Sequence, residues 1–158
     1  MNQQEKLSIL GVGPKIAIWT LPSLAISLIL AYSFPQFFRL QILPDWVHVV
    51  AGWFLLLFGL TFYIITVQTL FSGLKQNKLI TTGTYRLCQN PLYAVLILFI
   101  IPAISLLTAS WLVLLASLVA YLAFKRNIHT EYDQLSRMFG EEYIEYKKKT
   151  REFFPLPK

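Results

Sequence analysis

The sequence predicts an all-α integral membrane protein of about four transmembrane helices, and three observations lead there. Of 158 residues, 56% are hydrophobic and only 14% charged, against roughly 25% charged in soluble domains. The charges are also segregated. Residues 16–34, 46–74 and 87–124 contain no Asp, Glu, Lys or Arg, and a bilayer core needs about 20 consecutive apolar residues per helix. Finally, Lys and Arg gather beside these runs, as they do on the cytoplasmic side of membrane proteins. Net charge +6 is thereby assigned to lipid headgroups and not to nucleic acid.

The first span is expected over about Ile16–Phe34, with Pro22 near its start as a tolerated kink. Residues 1–15 are too weakly basic, and the apolar run too long, for a cleaved signal peptide, so the run is read as a retained helix. A short neutral loop, Pro35–Asp45, contains Arg39 and Asp45. A second span follows from about Trp46 to Leu70. The third uncharged run, 87–124, is too long for one helix: at 1.5 Å per residue it would reach about 57 Å, against roughly 30 Å of hydrocarbon. It must fold back, and Thr108-Ala109-Ser110 is the natural corner of a hairpin of helices 91–107 and 111–127.

Beyond the last span, Ile128, Tyr132, Leu135, Phe139, Tyr143 and Tyr146 recur at helical spacing, an amphipathic stripe. Gly140 interrupts it, which predicts a helix to about Phe139 and a second short one over Glu141–Thr150. Pro155 and Pro157 end the pattern. The chain reads as one membrane domain, with the first two spans in 1–78 and a second functional half in 79–158.

Orientation follows from Lys and Arg. Lys75, Lys78 and Arg86 in the 71–91 connection and Lys125, Arg126, Arg137, Lys147, Lys148, Lys149, Arg151 and Lys158 in the tail belong in the cytoplasm. Four spans put these on one face, together with Lys6 and Lys15. Trp46 and Trp111 then mark the opposite interface. The run Lys147–Lys149 is expected to grip anionic lipid.

The stretch GTYRLCQNPLY, residues 83–93, is more specific than a connection between spans requires. Asn90-Pro91 is an N-cap followed by proline at the first helical position. A helix start with free N–H groups also receives carboxylate or phosphate. Tyr85 and Tyr93 serve as interfacial anchors or, with Arg86 and Asn90, as pocket walls whose ring faces attract a sulfonium. Glu131, about two turns past the last apolar stretch, is either a solvated residue or a carboxylate placed to bind an amine. Arg137 suits an acidic substrate group or a phospholipid headgroup equally. His48 and His129 lack a third ligand, so no metal site is expected. Gly11-Val12-Gly13 follows no strand and is not a nucleotide fingerprint. Gly52 and Gly59 permit close helix packing. The single cysteine, Cys88, excludes an internal disulfide.

From about Leu79 to Pro155 the chain resembles the isoprenylcysteine carboxyl methyltransferases and related phospholipid methyltransferases. The resemblance rests on GTYR, QNPLY, a hairpin of suitable length, EYDQL, FGEEYIEY and FFP, in that order. Gln89 stands where the family often has arginine, Asn90 where it often has histidine, and Tyr132 where it has a second glutamate. The resemblance implies S-adenosylmethionine as methyl donor, in a pocket shaped by Tyr85, Asn90, Pro91 and Tyr93. It implies that Glu131 meets the methionine amino group, that Arg137 orients an acidic substrate, and that a lipophilic acceptor, first of all an isoprenylcysteine carboxylate, enters between helices. Methyl transfer from a sulfonium demands alignment and exclusion of water, with neither metal nor nucleophilic side chain. The rival readings are a non-catalytic membrane scaffold or lapsed family member, for which Tyr132 argues, and an NADPH-dependent sterol-type reductase, for which the chain is short.

Overall fold

The structure is a computed structural model that describes residues 11–42, 44–76 and 78–155. Lys6, Pro157 and Lys158, which enter the readings above, lie outside these residues, as does the side chain of Lys75. Among the described residues the chain is helical and forms no named strand.

Helix α1 spans Gly13–Ser33. It starts three residues earlier than the uncharged run, because Pro14 opens it at a position where no N–H is needed. Pro22 consequently lies in its middle. The expected neutral loop contains a single helical turn, α2, Pro35–Phe38. Beyond it Arg39 clamps Asp45 through both carboxylate oxygens, at 2.9 and 2.8 Å. Asp45 opens α3, Asp45–Gln76, where its charge complements the helix N-terminus.

Helix α4, Pro91–Leu107, contains a π-helical stretch, Leu96–Ile100. Pro102, two residues past its end, has no N–H to complete the regular ladder, which accounts for the wide turn. At the hairpin corner Ala109 adopts φ 46°. The Ser105 hydroxyl donates to the Ser110 carbonyl at 2.7 Å, closing the turn. After a 3₁₀ turn at Trp111–Val113, α5 runs over Leu114–Lys149.

The helices approach closely through small residues. A Cβ added at Gly59 would sit 2.9 Å from Phe99 Cβ, and one at Gly52 would sit 2.8 Å from Leu107 Cγ. Helix α5 packs along α1, and Ala116, Ala120 and Ala123 of α5 and Thr20 and Ser27 of α1 are all buried. The outer faces stay apolar: Ile18, Trp19, Phe54 and Leu57 are all exposed. Helices α1, α3 and α5 are long and apolar enough to cross a membrane. Helix α4, shorter at about 26 Å by helical rise, stands beside them as the first arm of the hairpin.

Only the first part of α5 is apolar; Lys125 and Arg126 begin its polar extension. As the sequence predicts, the extension breaks at Gly140, whose φ of 48° and ψ of −124° are not helical. The chain turns back there. The ring of Tyr143 comes to 6.4 Å from that of Tyr132, and the Tyr146 hydroxyl donates to the Tyr85 carbonyl at 2.6 Å. Residues 150–153 then lie against the 83–93 connection: Gln89 N–H donates to the Arg151 carbonyl at 2.9 Å. Phe153 seals the strap, its ring 5.2 Å from those of Tyr121 and Phe124.

Candidate active site at the 83–93 connection

The connection is held from three sides. Thr84 turns its hydroxyl inward to meet that of Thr66 on α3 at 2.9 Å, both side chains buried. Pro91 begins α4 and Asn90 occupies the N-cap position, as expected, but the Asn90 side chain does not cap. Its amide nitrogen instead donates to the Tyr132 hydroxyl at 2.6 Å and to the Glu152 carbonyl at 2.9 Å. The fold-back of the tail presents two strong acceptors, and the amide satisfies them in place of the helix end.

Tyr85, Asn90, Pro91, Tyr93 and Glu131 all line one cavity of about 590 Å³. Its polar end is formed by Tyr85, Asn90 and Glu131. Gln89, Tyr63 and Tyr93 line it too, and Leu60, Val67, Leu96 and Ile100 along α3 and α4 supply its apolar stretch. Arg137 and Arg86 do not line it; both are exposed, Arg137 on the outer part of the α5 extension.

Glu131 receives the Tyr93 hydroxyl and the Val12 N–H, each at 3.3 Å and both on Oε2. Neither donor is a cation, so this half-buried carboxylate can still attract one. The contact with Val12 is what the sequence reading missed. Gly11 has φ +47°, and a Cβ there would lie 2.6 Å from Glu131 Oε2 and 3.1 Å from the Tyr93 hydroxyl. Gly11-Val12-Gly13 is therefore part of the site without being a nucleotide loop. The available signal was a glycine pair just before a helix-opening proline.

Tyr85, in the connection, is held above the ordinary tyrosine range by burial and then by the negative charge of Glu131, so it stays a neutral hydroxyl. Burial pushes the Cys88 thiol up to about 11, with an opposing contribution from the Asn90 N–H; the thiol is not a nucleophile at neutral pH. His48 is buried near the start of α3 and His129 exposed on the α5 extension, toward the other end of the bundle. Among the described residues no three His, Cys, Asp or Glu side chains converge.

Residues 47–142 match the model of the phospholipid methyltransferase family. Two curated proteins are similar over part of the chain. The nickel-cobalt-cadmium resistance protein NccN of Alcaligenes xylosoxydans xylosoxydans is 33% identical over 84 residues, 53% of this chain and 39% of that protein. The cobalt-zinc-cadmium resistance protein CzcN of Cupriavidus metallidurans is 38% identical over 85 residues, 53% of this chain and 38% of that protein. The aligned part thus spans less than two fifths of the length of either relative.

Proposed function

The chain belongs to the phospholipid methyltransferase family, and from that premise we propose that it transfers a methyl group from S-adenosylmethionine to a lipophilic acceptor at the Tyr85–Glu131 end of the bundle. That it is a membrane methyltransferase in the general sense follows from the family. The donor and acceptor are our reading, and one observation carries it: a cavity with a carboxylate and tyrosines at one end continues as an apolar groove along α3 and α4.

When bound, S-adenosylmethionine supplies an electrophilic methyl on a sulfonium. The chain's own contribution is position and charge. Glu131 attracts the amino group, and its orientation is set by Val12 and Tyr93. The faces of Tyr85 and Tyr93 favour a cation beside them. Pro91 and Asn90 shape the floor, and the surrounding apolar walls exclude water.

For the acceptor we favour a carboxylate of the isoprenylcysteine type over a phospholipid amine. A carboxylate is already nucleophilic at neutral pH, whereas an ammonium must first lose a proton to a base. Glu131 is the carboxylate at this cavity, and the cofactor amine occupies it in our assignment. Arg137, about 9 Å further along the helix by rise, is assigned to an acidic group of the acceptor at headgroup level. We place this end of the bundle in the cytoplasm from its Lys and Arg, with Lys147–Lys149 against anionic lipid.

The test is calorimetric titration of the detergent-purified protein, lipid restored, with S-adenosylmethionine and S-adenosylhomocysteine beside Glu131→Ala. Saturable binding that the substitution weakens supports the reading. Stable wild-type protein that binds neither ligand would overturn it in favour of a non-catalytic membrane module.

A further inference from the structure

A smaller cavity of about 80 Å³ meets the large one at Tyr85, Gln89, Asn90 and Glu131. Two buried polar atoms on its wall have no hydrogen-bond partner among the described residues: Gln89 Oε1 and the Tyr143 hydroxyl. Buried polar groups are almost always paired, so two unpaired ones in one small cavity point to a ligand.

Their chemistry differs. Gln89 Nε2 donates to the Thr150 carbonyl at 2.7 Å. A carbonyl can only accept, so the amide orientation is set and Oε1 remains as an acceptor. The Tyr143 side chain is 1% exposed, and its hydroxyl is available as a donor. Lys78, with three further donors, also lines the small cavity. The placement of these groups is ordered. The acceptors, Gln89 and Glu131, line both cavities, whereas the donors, Tyr143 and Lys78, line the small one alone. Lys147 lies over the rings of Tyr132 and Tyr143, 5.1 and 5.5 Å from their centroids, adding positive charge on the donor side.

Acceptors shared with the large cavity, and one neutral and one cationic donor confined to the small one, match a zwitterion. We propose that the small cavity holds the α-amino-carboxylate end of the methyl donor, with Gln89 and Glu131 receiving the ammonium and Tyr143 and Lys78 the carboxylate. This rests on the cofactor reading above and adds three residues to it. The size suits an amino-acid end and not a nucleoside, which is left to the larger cavity.

The experiment compares S-adenosylhomocysteine with 5′-methylthioadenosine, which keeps the nucleoside and sulfur but lacks the amino-acid end. Full-length protein in detergent is titrated with each, as wild type, Lys78→Met and Tyr143→Phe. Both substitutions are mild for folding: Lys78 is exposed, and the Tyr143 hydroxyl gives up no partner. Each is expected to weaken S-adenosylhomocysteine by about tenfold, the effect of a lost hydrogen bond to a charged group, and to leave methylthioadenosine within twofold. Three outcomes overturn the assignment while sparing the cofactor reading: unchanged S-adenosylhomocysteine affinity in both variants, equal loss of both ligands, or wild-type protein that binds the two equally. Wild-type protein that binds neither would remove the cofactor reading and this inference with it.

Discussion

The side-chain amide of Asn90 donates to the hydroxyl of Tyr132 at 2.6 Å, joining the start of α4 to the α5 extension across 42 residues of sequence. The same hydroxyl donates to Glu152 Oε1 at 3.2 Å, and the Glu152 carboxylate is paired with Lys125 at 2.7 Å. Tyr132, a glutamate position in the family it resembles, thus lies between an amide and a carboxylate brought in by the tail.

A carboxylate at position 132 would face that of Glu152. Tyr132→Glu alone is expected to destabilise the protein by about 1–3 kcal/mol, through like-charge contact and loss of the Asn90 bond geometry. Adding Glu152→Gln should recover most of the loss. Thermal unfolding in detergent of the two single variants and the double variant measures the coupling; strictly additive effects would show that these side chains do not meet.

Gly11→Ala is expected to lower methyl transfer at least tenfold. The added Cβ collides with Glu131 Oε2, and a left-handed backbone costs a non-glycine residue about 1–2 kcal/mol. Formation of S-adenosylhomocysteine is the readout. Leu57→Ala is the control, since that side chain is exposed on α3 and lines neither cavity; equal losses in both variants would remove Gly11 from the site.

Cys88 is fully buried, with its thiol pushed up to about 11. A raised value keeps the unreactive thiol form below that pH, and the thiolate grows only as pH climbs toward it. Maleimide labelling of the folded protein should therefore be slow from pH 7 to 9 and fast after denaturation. Rapid labelling at pH 7 would place the connection in a more open conformation.

Gly59→Val should push α3 away from α4, because a Cβ there already sits 2.9 Å from Phe99 Cβ. Overpacking of this kind costs about 1–3 kcal/mol and should lower the unfolding temperature. A substitution at Leu57, exposed on the same helix, should not.

The apolar helices, the hairpin corner and the break at Gly140 were legible because each is local. A run without charge, a short Thr-Ala-Ser corner or a glycine inside an amphipathic stripe acts within its own few residues. The grouping of Tyr85, Asn90, Pro91, Tyr93 and Glu131 was legible in another way, through an ordered set of motifs, and the structure gathers these residues on one cavity.

The rest depended on how the helices dock. Val12 reaches Glu131 across 119 residues, and the strap at 150–153 reaches Gln89 and Asn90 across about 60. No periodicity encodes such pairs. The Asn90 amide illustrates the difference: its sequence neighbours make it a helix cap, but the folded tail offers a carbonyl and a hydroxyl, and it bonds those instead. Charge alone singled out Arg137; that it stands on the exposed face of α5, outside the cavity, was decided by the fold. The sequence by itself determined which segments form long apolar helices and where they turn, because hydropathy and backbone chemistry act locally. Only the tertiary structure decided which polar groups meet, because that choice belongs to surfaces assembled from distant parts of the chain.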